Sequence, residues 1–422
     1  MKENKLLSNT IMLYILTFSN YFFSFVTVPY QTRVLGKEIY GNLGFATSFM
    51  GYFQLILDFG FLLSATQEVA EHRKDKKKLE SILTCVTCCK VILICATGLI
   101  LSILCLTVQR FRVDIRLYIL YYLAIAINSF IPDYLYRGLE EMKVITIRTV
   151  LIKFFFTAMI FVCLKEKSQY YYVPLLTLIG NIGAVIGVYI HIKRRIGLNF
   201  CRVTFKDIWE SLKKSSFFFY SRIASTFYSV TNTFILGLIY GNNSGVVGLF
   251  SASDKLITTG KQGITPITDS LYPYMIRKKD FKLVKKLLLI FMPIITVGCL
   301  LGGMIAEPLC AVLFGEEFRD AGKYLRLLLP ALWCAFPAMV FGFPVLSPMG
   351  LEKYANWSNI FGAIIQIIQL VIVAIFGKIT VESVCIVTCI TEIATLIFRV
   401  SVVYKHRNGM GKLEMGADQT EL

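Results

Sequence analysis

Arg222, Lys153, Lys255 and Lys261 on the basic side, and Asp58, Asp254, Asp269 and Glu392 on the acidic side, fall inside long apolar stretches. A charge in such a place is expensive, and by default it marks a proton relay or a group that binds an ion or substrate. The polar residues around them are regularly spaced. Thr17, Asn20, Ser24 and Thr27 share their steps of three, four and three with Arg222, Ser225, Ser229 and Asn232, which puts each set on one helical face. Thr47, Gly51, Gln54 and Asp58 are matched in the same way by Asp254, Thr258, Lys261 and Thr265. A further stripe of Thr146, Thr149, Lys153 and Thr157 has a counterpart in Asn359, Gln366 and Gln369.

A single Ser or Thr in an apolar helix most simply hydrogen-bonds a neighbouring helix. Four in register, in both halves of the chain, favour a water-filled cavity, because polar groups left unsatisfied in hydrocarbon cost kilocalories each. Arg222, Lys261, Lys153, Asn20, Ser24, Ser225, Ser229 and Asn232 are the substrate-binding residues expected of such a cavity. Its cationic, hydrogen-bonding walls suit a phosphate-bearing sugar better than a cationic drug. Asp58 and Asp254 are the candidates for ion coupling. Arg222 has no acidic neighbour on its own helix, whereas Lys261 could pair with Asp254 as a purely structural salt bridge. Arg399 and Asp269 lie near the ends of apolar stretches and could snorkel to the interface. Lys90, about three turns into its stretch, fits either kind of role.

No enzyme chemistry is expected. The sequence carries no P-loop or Rossmann glycine pattern, and no loop on the side opposite the N-terminus exceeds about 20 residues. Cys85-x-x-Cys88-Cys89 reads as apolar packing, since no second cysteine pair follows and His72, His191 and His406 are the only histidines. No metal and no cofactor are expected.

The elements that must position these residues are membrane helices. A chain of 422 residues that is 56% hydrophobic and 17% charged, with a mean hydropathy of +0.64, cannot build a water-facing shell. Its apolar runs of about 20 residues each span roughly 30 Å as a helix, and they lack the alternation of barrel strands. The spacing predicts 12 spans, at 9–29, 42–64, 81–108, 116–131, 146–164, 171–192, 215–240, 246–272, 287–306, 325–346, 355–377 and 380–404. The fold class expected is thus an all-α, polytopic membrane protein of two six-helix lobes. No cleavable signal peptide is expected, because the first apolar stretch is already of full spanning length. Basic segments at 73–78, 193–214 and 277–286 put about 27 Lys and Arg on the side of the N-terminus against about 10 on the other, which places both termini in the cytoplasm. The net charge of +17 therefore reads as topology and lipid contact, not as a nucleic-acid surface. The segment at 193–214 separates six spans from six: an N-terminal lobe at 1–195, a basic linker at 196–214, a C-terminal lobe at 215–405 and a tail at 406–422. Gly260, Gly263 and Pro266, and likewise Pro330, Pro337 and Pro344, allow helices to bend. Gly183-x-x-x-Gly187 and Gly298-x-x-x-Gly302 read as close-packing faces. Two equivalent halves with a polar seam describe an alternating-access transporter.

The segment from Val28 through Pro29-Tyr30-Gln31-Thr32-Arg33-Val34-Leu35-Gly36-Lys37-Glu38-Ile39-Tyr40-Gly41 resembles the polysaccharide transporter family, the O-antigen and capsule repeat-unit flippases of the multidrug/oligosaccharidyl-lipid/polysaccharide exporter superfamily. Asp58-Phe59-Gly60-Phe61, Tyr136-Arg137-Gly138, Phe250-Ser251-Ala252-Ser253-Asp254-Lys255 and Leu313-Phe314-Gly315-Glu316-Glu317-Phe318 extend the resemblance over nearly the whole chain. Pro29, Arg33, Gly36, Tyr40 and Gly41 carry the specific part, and Gln31 departs from it. The resemblance implies a V-shaped bundle in the bacterial inner membrane. Such a bundle moves an undecaprenyl-diphosphate-linked oligosaccharide to the outer leaflet, driven by an ion gradient or the membrane potential. It also implies membrane lipids, a polymerase and glycosyltransferases as partners. The alternatives are a multidrug and toxin extrusion transporter, which would want an acid-dominated cavity, and a membrane scaffold of a polysaccharide synthesis complex.

Overall fold

The computed structural model describes residues 2–241 and 245–406, and leaves out the side chains of 2–10, 221, 224, 225, 228 and 229. The described residues are helical, with no strand among them. The long helices are α1 (Lys2–Asp58), α2 (Phe61–Glu71), α3 (Lys76–Thr107), α4 (Ile115–Ser129), α5 (Met142–Cys163), α6 (Tyr172–His191), α7 (Phe205–Tyr240), α8 (Gly245–Lys278), α9 (Phe281–Met304), α10 (Ala321–Val340), α11 (Glu352–Phe376) and α12 (Val381–Lys405). Short polar side chains start several of them. Asp75, Asp114, Asp280 and Thr380 accept from the amides of Lys78, Leu117, Leu283 and Ser383, so the first turns of α3, α4, α9 and α12 are capped.

Nine helical stretches among the described residues are long and apolar enough to cross a membrane. Ile11–Glu71 counts once among them, although Gly36, at φ 74° and ψ 171°, breaks α1 into two rods. Only glycine takes that backbone without strain, and it sits inside the family-like segment around Pro29. α7 and α8 are the other long helices: Val230–Tyr240 of α7 is a shorter apolar stretch, and charged and hydroxyl residues run through the middle of α8. Nine, plus one for the break at Gly36, plus α7 and α8, reproduces the 12 expected spans.

Internal contacts divide the chain into a unit of Met1–Val230 and a unit of Thr231–Leu422. The division falls inside α7 because the basic segment is not a free loop. The Asn199 and Cys201 amides donate to Glu80 and Thr84 of α3 at 3.0 and 3.1 Å, and Ser215 meets Ser64 of α2 at 2.7 Å. At the start of α7 the Thr204 amide and hydroxyl both donate to Asp207, holding that carboxyl below the usual carboxylate range. In the N-terminal unit, Phe61, Leu83, Leu135 and Tyr136 form a fully buried core. A Cβ on Gly138 would come within 2.4 Å of Val69, so only glycine lets the segment Asp133–Gly138 lie against α2. The C-terminal unit is centred on Met275, Phe336 and Leu346. Its α9 buries only Val284 and leaves residues such as Leu300 mostly exposed, as a lipid-facing helix does.

Two expectations are corrected at this level. A Cβ at Gly183, Gly187, Gly298 or Gly302 would meet nothing within 4 Å, so these are open surfaces rather than close-packing faces. Arg399 does not snorkel: it donates to Ser358, the Ala338 carbonyl and Asn359 at 2.8, 2.5 and 2.7 Å, tying α12 to α10 and α11. The cysteines are all free thiols, with Cys85 and Cys89 buried in the N-terminal core.

Candidate functional site

The N-terminal unit encloses a charged cavity of about 200 Å³, lined by Gln54, Asp58, Lys90, Asn128, Asp133 and Arg222 among others. Five separate elements bring these groups together, with Asn128 supplied by α4. Asp58 stands at the last position of α1, where Phe59 and Gly60 turn to φ 38° and 77° and stop the helix. Lys90 comes from the middle of α3, where its buried ammonium donates to the Ser129 carbonyl at the end of α4. Asp133 follows the helix interruption at Pro132, and Arg222 comes from the first half of α7. Gln54 donates to Asp58 at 3.1 Å, one turn back on the same helix. Arg148 of α5 grips Asp133 through both terminal guanidinium nitrogens, at 2.6 and 3.2 Å.

Arg222 is compensated, contrary to what its own helix suggests: Asp58 lies within charge–charge range of both Lys90 and Arg222, and Asp133 lines the same cavity. Helical spacing on α7 could not reveal this, because both carboxylates arrive from other elements. Asp133 and Arg148 were not singled out by the sequence reading. The available signal was a carboxylate directly after a proline break in an apolar region, beside Tyr136-Arg137-Gly138. Counting Lys90, Arg148 and Arg222 against Asp58 and Asp133, the cluster holds three formal positive and two formal negative charges. With Asp133 taken by Arg148, one cationic group remains in excess. Such a site can hold an anion such as phosphate through charge-assisted hydrogen bonds.

The polar stripes divide differently. Thr27 and Thr157 meet at 3.0 Å, and Thr146 donates to the Met12 carbonyl at 2.9 Å, so the stripes of α1 and α5 face each other. Half-buried Lys153 stands between those two threonines on α5, and half-buried Asn20 and Ser24 share the α1 face with Thr27. In the C-terminal unit, Asn232 donates to Thr388 and accepts from Gln366, both at 2.8 Å, which makes it part of a buried polar seam among α7, α11 and α12. Gln369 extends that seam to Thr391 at 3.3 Å. Lys261 pairs with Glu392 of α12, correcting the expected partner Asp254, which stays half-buried within charge range of Lys255 and Lys261. The side chains of Ser225 and Ser229 lie outside the described residues, as does the tail from residue 407 onward. No group of three or more His, Cys, Asp or Glu that could hold a metal occurs among the described residues.

The family model of polysaccharide biosynthesis proteins matches residues 6–279, which include every residue of this cavity. The chain belongs to that family. Among curated proteins it is 27% identical to the "Putative O-antigen transporter" of Escherichia coli (strain K12) over 84% of this chain and 86% of the relative. It is 25% identical to the protein of the same name in Shigella dysenteriae, over 85% and 91%. Two solved structures share the fold of this family member. The lipid II flippase MurJ in an inward closed conformation aligns with a TM-score of 0.69 and 12% identity, over 97% of this chain and 90% of MurJ. An inward-facing multidrug resistance MATE transporter of the MOP superfamily aligns with a TM-score of 0.64 and 17% identity, over 96% and 99%.

Proposed function

We propose that this protein is a flippase that carries a lipid-linked anionic oligosaccharide, an O-antigen, capsule or exopolysaccharide repeat unit, across the bacterial inner membrane by alternating access. The observation that carries the reading is the cavity of Asp58, Lys90, Asp133 and Arg222. With Arg148 binding Asp133 from beside the cavity, Lys90 and Arg222 face Asp58 as the remaining carboxylate, in a chain whose curated relatives are named as O-antigen transporters. Arg222 and Lys90 bind the diphosphate, while Asp58 balances them when the site is empty and is the group placed to exchange an ion. The basic segments at 73–78, 193–214 and 277–286 put both termini in the cytoplasm. An inside-negative potential then favours outward movement of the headgroup by about 2.3 kcal/mol per charge per 100 mV. A polymerase and glycosyltransferases of the same polysaccharide pathway are the partners this role requires, and catalysis is not part of it. A drug exporter of the same fold would want carboxylates in excess, and the cluster leans the other way.

The test is transport by purified protein in vesicles that carry a fluorescent polyprenyl-diphosphate oligosaccharide, read by an impermeant quencher. Protein-dependent scrambling or export of the glycolipid is expected. Export of cationic dyes with no movement of the glycolipid would reject the reading.

A further inference from the structure

A second cavity of the N-terminal unit lies beside the charged site. It is a groove of about 740 Å³ between α5 and α6. Its floor exists because α6 presents Gly180, Gly183 and Gly187 where side chains would otherwise fill the space, and at the last two a Cβ would still touch nothing. Its walls are Leu151 and Phe155 of α5 and Ile179 of α6, all exposed. From Lys143 to Phe155 the groove follows α5 for 12 residues, about 18 Å at 1.5 Å per residue, which is over half the thickness of a bilayer core. Its basic groups lie in the half nearer Lys143. Lys143 and His191 close that end, Arg148 stands five residues further along α5, and the Tyr136 hydroxyl holds the His191 ring by Nδ1 at 3.1 Å. Among the described residues no carboxylate lines the groove.

We infer that this groove is a docking site for the hydrocarbon chain of a polyprenyl phosphate, with the phosphate at Lys143 and His191 and the chain along the glycine floor. The identity of the lipid rests on the proposed transport of a lipid-linked glycan, whereas the groove and its polarity do not. Charge complementarity selects an amphiphile with an anionic head and a long apolar tail. A glycine-cleared trough gives room for a methyl-branched chain that a narrow slot between two leucine-lined helices would deny. Arg148 adds a link to transport. It closes the groove on one side and holds Asp133 of the charged cavity on the other, so a phosphate that draws Arg148 away would uncover a carboxylate in that cavity.

The experiment uses the full chain in nanodiscs with a polyprenyl monophosphate bearing a photoreactive group on its chain, and a diacyl phosphatidylglycerol bearing the same group as comparison. The polyprenyl probe is expected to label peptides of α5 and α6 at least fivefold more than the phosphatidylglycerol probe, and unlabelled polyprenyl phosphate should compete. Gly183→Leu and Gly187→Leu, which fill open space, should cut that labelling at least fivefold with an unchanged unfolding temperature. Should they unfold the protein, Lys143→Gln, at an exposed position, should weaken labelling on its own. Equal labelling by both probes, or labelling that none of these changes affects, would overturn the inference. Because labelling needs no transport, a wild type that labels but moves no glycolipid removes the flippase reading while leaving the groove. Transport that proceeds with unlabelled grooves does the reverse.

Discussion

Arg222, Asp58 and Lys261 show how differently three charges at membrane depth can be used. Arg222 lines the cavity opposite Asp58 and offers a planar fork for paired hydrogen bonds to phosphate. Replacing it by Ala should remove a charge-assisted contact worth about 1.5 to 3 kcal/mol, a roughly tenfold to 150-fold loss of affinity for the diphosphate glycolipid. Arg222→Lys should keep part of that affinity, and a binding isotherm in detergent measures both. Asp58→Asn should abolish the pH dependence of transport in vesicles if Asp58 exchanges the proton, and a pH profile like that of the wild type would assign coupling elsewhere. Lys261 belongs to a pair with Glu392 that is mostly buried, with side chains 19% and 12% exposed. Losing one partner of a buried pair costs about 3 to 5 kcal/mol, while replacing both by apolar residues is often neutral. Lys261→Met should therefore lower the unfolding temperature clearly, and adding Glu392→Met should restore most of it. Such a rescue would identify the pair as structural.

At the scale of elements, glycines sort by what a side chain would meet. Gly138 lies where Asp133–Gly138 crosses α2, with Val69 at 2.4 Å and the Thr66 carbonyl at 3.0 Å from an added Cβ. Gly138→Ala should cost about 1 to 3 kcal/mol through overpacking, and should also disturb Asp133, five residues earlier in the same short element. Gly187→Ala faces open space in the C-terminal part of α6 and should stabilise by up to about 1 kcal/mol, the helix-propensity difference between the two residues. Thermal unfolding of the two variants side by side gives opposite signs. The polar stripes were legible in the sequence because a helix repeats every 3.6 residues, but their use was not. Thr27 with Thr157, and Asn232 with Gln366 and Thr388, turned out to join helices, and the pairing of helices is not written in the period of either one.

For the whole molecule, membrane orientation sets the direction of every other event. A cysteine placed at exposed Lys206 should react with an impermeant reagent only after cells are permeabilised, with the wild-type cysteines as the control. Labelling of intact cells would reverse the assignment of sides and, with it, the direction in which the membrane potential acts on the substrate.

Composition and periodicity alone determined that this is a many-helix membrane chain, where its helices run and which residues are too polar to face lipid. These properties are local, since hydropathy accumulates over 20 residues and a helical face repeats within two turns. The tertiary structure alone decided which charges meet. Asp58, Lys90, Asp133 and Arg222 are separated by up to 164 residues (222 − 58) and share one small cavity, and Lys261 found Glu392 rather than Asp254. It also decided that Gly183 and Gly187 border open space. The physical reason is that partner choice depends on the rotation and neighbour of each helix. These are set by packing over the whole unit, while hydropathy and period are properties each helix carries by itself.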